Sequence, residues 1–290
     1  GLQIKSLANG SFIVVGKELT FTQVDEPTGI LMGPTIERVF IKKYLASGSL
    51  DTSFGSNGTV LTDFGTVIDP AMGTNIGITI NDIVINSSGN IFLAGAGYSS
   101  ETVSLGANIF VAKYLANGTI DTSFGDDGFV LTDFSSGTYE GADSIVLQSD
   151  GKILVAGYVG IQRVTESGFT SDASFAIARY NANGTLDTPF SDDGKIITDI
   201  RPNVGGENSV YNEYSGATSI NLQGDKIVVV GNSQVYSYEG GPEQLQGGVA
   251  LVRYNSDGSI DTTFGGGTTK PIVMSIEPGE PDFHDDIVSE

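Results

Sequence analysis

The chain has 290 residues, enough for one large domain or two ordinary ones at roughly 150 residues each. Its 35 acids against 14 bases leave a formal charge of −21, which repels phosphate backbones and argues against nucleic acid as a partner. No run approaches the roughly 18 apolar residues of a membrane span, cysteine is absent, and His284 is the one histidine, so membrane insertion, thiol chemistry and histidine-based catalysis are all poorly supplied.

In chain order, the first predicted element is a strand around Ile4. A turn at Asn9-Gly10 and an apolar run ending at Gly16 follow, and then a segment from Tyr44 to Gly55 that reads Tyr-Leu-Ala-Ser-Gly-Ser-Leu-Asp-Thr-Ser-Phe-Gly. Both motifs return in the same order: Ser88–Gly95 with Tyr114–Gly125, Asp150–Gly157 with Tyr180–Ser191, and Gly224–Gly231 with Tyr254–Gly265. Their aspartates, at 51, 121, 187 and 261, are spaced by 70, 66 and 74 residues. Fixed order in four copies is the mark of a repeat architecture.

Each unit predicts four strands, clearest in the third copy at 143–148, 152–157, 174–180 and 194–199. They are short and β-branched with partial alternation, and the Ser-Asp-Gly and Asn-Gly pairs between them supply the positive φ of tight turns. No segment carries a helical period. The fold class expected is therefore all-β, a β-propeller of four four-stranded antiparallel blades within a single domain, 1–290. The blades span approximately 1–64, 82–134, 143–199 and 218–273. A β-solenoid is the rival, but its repeats are usually shorter. Residues 285–290 align with the first strand again. They are expected to begin a further blade of a longer protein and a larger ring; the alternative is a closing strand that overlaps the first in a ring of four.

The run Gly151-Lys-Ile-Leu-Val-Ala-Gly157, then Ala178-Arg-Tyr-Asn-Ala-Asn-Gly-Thr-Leu-Asp-Thr-Pro-Phe190, then Asp192-Asp-Gly-Lys-Ile-Ile-Thr-Asp199, is similar to the bacterial delta-60 repeat. The resemblance covers nearly the whole chain. It implies a propeller from a secreted or surface-attached bacterial protein, and it brings no catalytic residues with it. Two departures stand out: Ser191 replaces the glycine after Phe190, and the fourth copy reads Gly265-Gly-Gly-Thr, which predicts an irregular last hairpin.

In an up-and-down blade, the connections between strands two and three and between blades share one face. Here those are 17–36, 65–81, 96–108, 135–142, 158–172, 200–217, 232–247 and 268–283, and they vary while the opposite turns do not. Variable connections on a rigid scaffold are where binding settles. Of the 11 tyrosines, the seven outside the repeat (Tyr98, Tyr139, Tyr158, Tyr211, Tyr214, Tyr236 and Tyr238) all lie in these connections and are the candidate ligand-binding residues. The competing role is as aromatic anchors that fold long loops back onto the blades.

Asn255, Asp257 and Asp261 resemble part of a calcium loop, and calcium is the one cofactor suggested. The other copies do not keep that set, which favours a turn whose aspartate accepts local N–H groups. Asp126-Asp127 and Asp192-Asp193 read the same way, and His284 among Asp282, Asp285 and Asp286 reads as a solvated acidic terminus. Lys43, Lys113, Arg179 and Arg253 each stand eight residues before the repeated aspartate, which predicts a cation–carboxylate clamp that fixes register in every blade. No catalytic constellation assembles, so an enzyme is not expected. The expectation is a structural or adhesive module, extracellular or at the cell surface, whose partners are other proteins, copies of itself or glycans. A carbohydrate-binding module and a polysaccharide hydrolase or lyase are the alternatives.

Overall fold

The computed structural model describes residues 2–25, 30–64, 67–68, 75–98, 106–135, 138–165, 168–200, 213–237, 244–265 and 272–276. These form four four-stranded sheets. The first holds β1 (Gln3–Ser6), β2 (Phe12–Asp25), β3 (Ile30–Tyr44) and β4 (Thr59–Thr62). A two-stranded ribbon, β5 (Val67–Ile68) with β6 (Asn75–Ile76), lies in the connection to the second sheet. That sheet comprises β7 (Thr79–Ile85), β8 (Ile91–Gly97), β9 (Asn108–Tyr114) and β10 (Phe129–Thr132). The third is β11 (Tyr139–Leu147), β12 (Ile153–Thr165), β13 (Gly168–Tyr180) and β14 (Lys195–Thr198). The fourth is β15 (Glu213–Gln223), β16 (Lys226–Ser237), β17 (Gln244–Tyr254) and β18 (Ile272–Ile276). Every sheet is an antiparallel meander in chain order, which places alternate connections at opposite ends as the repeat predicts. Among the described residues no helix is long and apolar enough to cross a membrane.

The strands differ from expectation in length. Register runs without a break from Ile153↔Tyr180 to Thr165↔Gly168, and from Ile227↔Tyr254 to Ser237↔Gln244. In the first sheet it runs from Phe12↔Tyr44 to Asp25↔Ile30 across one irregularity between Phe21 and Gln23. Much of 17–36, 158–172 and 232–247 is therefore paired backbone extending the central hairpin, and not open loop. The third and fourth sheets likewise begin at Tyr139 and Glu213, earlier than their strand patterns suggest. The fourth connection is longer by two residues than its counterparts, yet Met274 pairs with Val249 where Thr62, Thr132 and Thr198 pair with Val39, Ile109 and Phe175. The irregularity expected there leaves the strand register intact.

The glycine that closes each apolar run has a steric cause. Gly95, Gly157 and Gly231 lie opposite β-bulges, between Ile80 and Asp82, Ala142 and Ser144, and Ala217 and Ser219. A Cβ at these glycines would come within 1.8, 1.9 and 2.0 Å of the carbonyl oxygens of Thr79, Gly141 and Gly216. No side chain fits so close to backbone.

Consecutive sheets pack through shared apolar clusters. Ile13, Val15, Ile41 and Phe54 meet Ile83, Leu93, Phe110 and Tyr114 between the first and second sheets. Phe92, Val111 and Phe124 meet Ile145, Val155 and Tyr180 between the second and third. Leu154, Phe175 and Phe190 meet Ile220, Val229 and Tyr254 between the third and fourth. Aliphatic side chains make up most of each cluster, and the aromatics among them contribute the largest buried area per residue.

Candidate functional site

The repeated cation and aspartate come together in all four blades. Lys43 Nζ lies 3.1 Å from Asp51 Oδ2, Lys113 Nζ 2.8 Å from Asp121 Oδ2, Arg179 Nε 2.6 Å from Asp187 Oδ2, and Arg253 Nε 2.9 Å from Asp261 Oδ2. The aspartate's N–H also donates to the cation's carbonyl in every copy, so side chain and backbone close one ring across the turn. The other carboxylate oxygen caps the following turn: Ser53, Ser123 and Thr263 each donate N–H and hydroxyl to Oδ1. The cation meanwhile sits over the repeated phenylalanine, with Arg179 4.1 Å from the Phe190 centroid and Arg253 4.5 Å from that of Phe264. Hydrogen bonds from Ser53 and Lys43 hold the Asp51 carboxyl below its ordinary range, and those from Lys113 and Ser123 do the same for Asp121. At Asp187, burial pushes upward, but hydrogen bonds from Lys152 and Arg179 win and the result is lowered. Asp261 is pulled to about 2, chiefly by its hydrogen bonds from Thr263.

The residues with a calcium-loop spacing are engaged in the same turn chemistry. Asp257 Oδ1 accepts the N–H and hydroxyl of Ser259 at 2.9 and 2.7 Å. Asn255 receives Lys226 Nζ at 2.5 Å and donates to Ser259 Oγ at 2.8 Å. Asp261 faces both Arg253 and Lys226. Among the described residues no three histidine, cysteine or acidic side chains converge as a metal site would require. His284 and its neighbouring aspartates lie outside the described residues.

The seams between blades hold polar links that single-repeat reasoning misses. Tyr114, Tyr180 and Tyr254 reach back to the preceding blade, where their hydroxyls meet Thr62, Thr132 and Thr198 at 2.8, 2.7 and 2.6 Å. All three rings are fully buried, and burial raises their phenol pKa values. The recurrence of tyrosine and threonine in register was the available signal. Along the first strands, Asp82 Oδ2 accepts the Ile145 N–H at 2.9 Å, and Asn81 Nδ2 donates to Asp143 Oδ1 at 3.0 Å. Burial raises the Asp143 carboxyl against that hydrogen bond.

Glu140 is a further group that repetition could not reveal, because it belongs to a connection unique to its blade. It is fully buried at the seam of the second and third sheets, where its N–H donates to the Ala107 carbonyl. The Thr138 hydroxyl lies in hydrogen-bonding contact with both the Ser135 carbonyl and Glu140 Oε1, and Glu140 Oε2 is buried without a partner. A hydroxyl has one proton to give, and a carbonyl only accepts. The proton reaches one of the two acceptors, and where the Thr138 hydroxyl gives it to Oε1 it opposes, without cancelling, the rise that burial imposes on the carboxyl. Burial accordingly lifts its pKa to about 7.

Of the candidate tyrosines, Tyr139 and Tyr158 are brought together, with ring centroids 5.9 Å apart at 56°. Each covers a glycine on the neighbouring strand: a Cβ at Gly160 would strike the Tyr139 ring at 2.5 Å, and one at Gly141 would strike Tyr158 at 2.8 Å. Both rings remain half-buried, as does Tyr98. Tyr214 and Tyr236 are placed by register opposite Gln234 and Leu245, while Tyr211 and Tyr238 lie outside the described residues.

Four meander sheets packed in sequence and joined by recurring seams define a β-propeller module. Residues 87–124, 148–190 and 223–264 match the family described as Domain of unknown function (DUF5122) beta-propeller, so the repeats belong to a propeller class. No curated protein matches the sequence. Among solved structures, a mannose phosphorylase from Leishmania mexicana in complex with phosphate is 14% identical over 88% of this chain and 69% of that one, with a TM-score of 0.37. An alpha-L-arabinofuranosidase from Lactobacillus brevis is 11% identical over 91% and 74%, also at 0.37. Drosophila Plexin A, in complex with Semaphorin 1b, is 10% identical over 88% of this chain and 52% of its own, at 0.30.

Proposed function

We propose that the chain is a non-enzymatic propeller module of a secreted or cell-surface bacterial protein. It serves as an adhesive or assembly unit, binding through the variable connections on one face or to neighbouring subunits. One observation carries this: the cation–aspartate clamp recurs in all four blades and the tyrosine–threonine link at three seams, while the sequences of the connections between strands two and three and between blades do not repeat. The repeated chemistry builds a scaffold, and the unrepeated chemistry is what a partner would read. A large negative charge on few charged residues suits a protein kept soluble and dispersed at a surface.

The paired rings of Tyr139 and Tyr158 favour a second role, carbohydrate binding by stacking of sugar faces on adjacent aromatics. The labelled chain, applied to bacterial cells and to a glycan array, separates these readings. Cell binding without array signal supports the adhesive module. Array binding abolished by Tyr139→Ala, Tyr211→Ala or Tyr236→Ala promotes the glycan reading. Turnover of neutral or anionic polysaccharides by the purified chain would overturn both.

A further inference from the structure

Strand β11 joins the third sheet through a short arm. Its pairing with β12 runs from Tyr139↔Gly160 to Ala142↔Gly157 and is then interrupted by the β-bulge between Ala142 and Ser144. A strand end of this length, with a connection on one side and a bulge on the other, opens at far less cost than the sheet behind it. Tyr158 does not share that freedom. It belongs to β12, which pairs with β13 without a break from Ile153↔Tyr180 to Thr165↔Gly168. Lifting the arm therefore carries Tyr139 away and leaves Tyr158 in place, which divides the half-buried ring pair.

The contacts that hold the arm down are made to the second sheet. The Glu140 N–H donates to the Ala107 carbonyl at 2.7 Å. The chain entering β9 lies so close that a Cβ on Gly106 would come within 2.5 Å of the Thr138 carbonyl oxygen. In the same seam the Glu140 carboxyl is fully buried, with Oε1 against the Thr138 hydroxyl and Oε2 without a partner. A neutral acid is accommodated there, whereas a buried carboxylate with an orphaned oxygen is costly. The surroundings do not offset that cost. Hydrogen bonds from Thr138 and the Phe134 backbone favour the charged form without outweighing burial; Lys195 attracts it and Asp133 repels it. Val159, the register partner of Glu140, brings no charge. Solvent is near, because Asp133 and Ser135 in the same connection are exposed.

We infer that ionisation of Glu140 releases the start of β11 and separates Tyr139 from Tyr158, so that this end of the third blade is closed in acid and opens as the solution turns alkaline. The inference rests on the reading of the variable connections as the binding face, and it adds regulation to that face: binding over the tyrosine pair is strongest in acid. The carboxyl titrates at about 7 while buried, against an ordinary 4.5 once released. Linkage between those two values raises the ratio of open to closed arm about thirtyfold between about pH 5.5 and pH 8.5.

Hydrogen exchange of the Glu140 amide, followed by NMR, reads the opening directly, because its bond to Ala107 must break first. Corrected for the base catalysis common to all amides, exchange in the wild-type chain is expected to be about thirtyfold faster at about pH 8.5 than at about pH 5.5. Glu140→Gln keeps the shape and cannot ionise, so it is expected to show no such gain. Cell and glycan binding are measured at the same two pH values: wild-type affinity is expected to fall at alkaline pH, by no more than the same factor, while that of Glu140→Gln holds. No excess exchange in the wild type, or an equal excess in Glu140→Gln, overturns the inference and leaves the proposed function standing. So does an exchange gain accompanied by pH-independent binding that Tyr139→Ala abolishes. A chain that binds neither cells nor glycans at either pH, yet keeps the exchange gain, retains the arm and loses the proposed function.

Discussion

At the scale of residues, Glu140 and the clamp aspartates define opposite responses to pH. Glu140 titrates near 7 in the folded chain, above its ordinary value of 4.5, so folding favours its protonated form. Its contribution is fully present below pH 4.5 and is lost as pH rises through 7. Denaturant unfolding of Glu140→Gln is expected to show little change at acid pH and a gain of about 1–3 kcal/mol above neutrality. Equal stability of the two proteins at alkaline pH would mean the carboxyl is ionised at no cost. The clamp aspartates behave in reverse: their pKa values are lowered, so their stabilisation holds above the ordinary carboxylate range and fades as pH falls through the folded values. Asp187→Asn leaves Arg179 and Lys152 around a buried position without their counter-charge, and thermal melts should register a loss of about 2–4 kcal/mol. The clamp was legible because its two members recur eight residues apart in four copies. Glu140 was not, since its burial depends on a neighbouring blade and no repeat marks it.

At the scale of elements, the bulge explains why the apolar runs of the second, third and fourth blades end in glycine. Replacing Gly157 by alanine drives a methyl into the Gly141 carbonyl, and chemical denaturation is expected to show a loss of about 2–4 kcal/mol with backbone shifts in the third blade. A variant that keeps wild-type stability would show that the bulge can relax. The existence, order and turn chemistry of the strands were plain from Ser-Asp-Gly and Asn-Gly turns between β-branched runs. Their lengths were not. The outer parts of β2 and β3, β12 and β13, and β16 and β17 lack the repeat's pattern, and pairing continues there because backbone hydrogen bonds do not require a particular side chain. The tyrosine–threonine seam had been visible only as two separate recurrences, since nothing in one repeat says that its partner stands in the repeat before it.

At the scale of the whole molecule, a formal charge of −21 sets a cost of self-repulsion on the compact state. Raising the salt from about 0.01 M to about 0.15 M shortens the screening length from roughly 30 to 8 Å, and the melting temperature should rise over that range. A fall would mean that cation–carboxylate contacts such as Lys113–Asp121 and Arg179–Asp187 outweigh the repulsion. The sequence by itself determined the all-β class, the four-fold repetition, the meander order and the clamps, because all of these follow from local propensity and from residues a few positions apart. The tertiary structure alone decided how consecutive blades seal against one another, where a carboxyl is stripped of water, and which two tyrosines share a surface. The seams depend on groups far apart in the chain, such as Tyr180 with Thr132, 48 residues away, and Arg179 with Ser256, 77 away. Their meeting is set by the packing of one sheet upon the next.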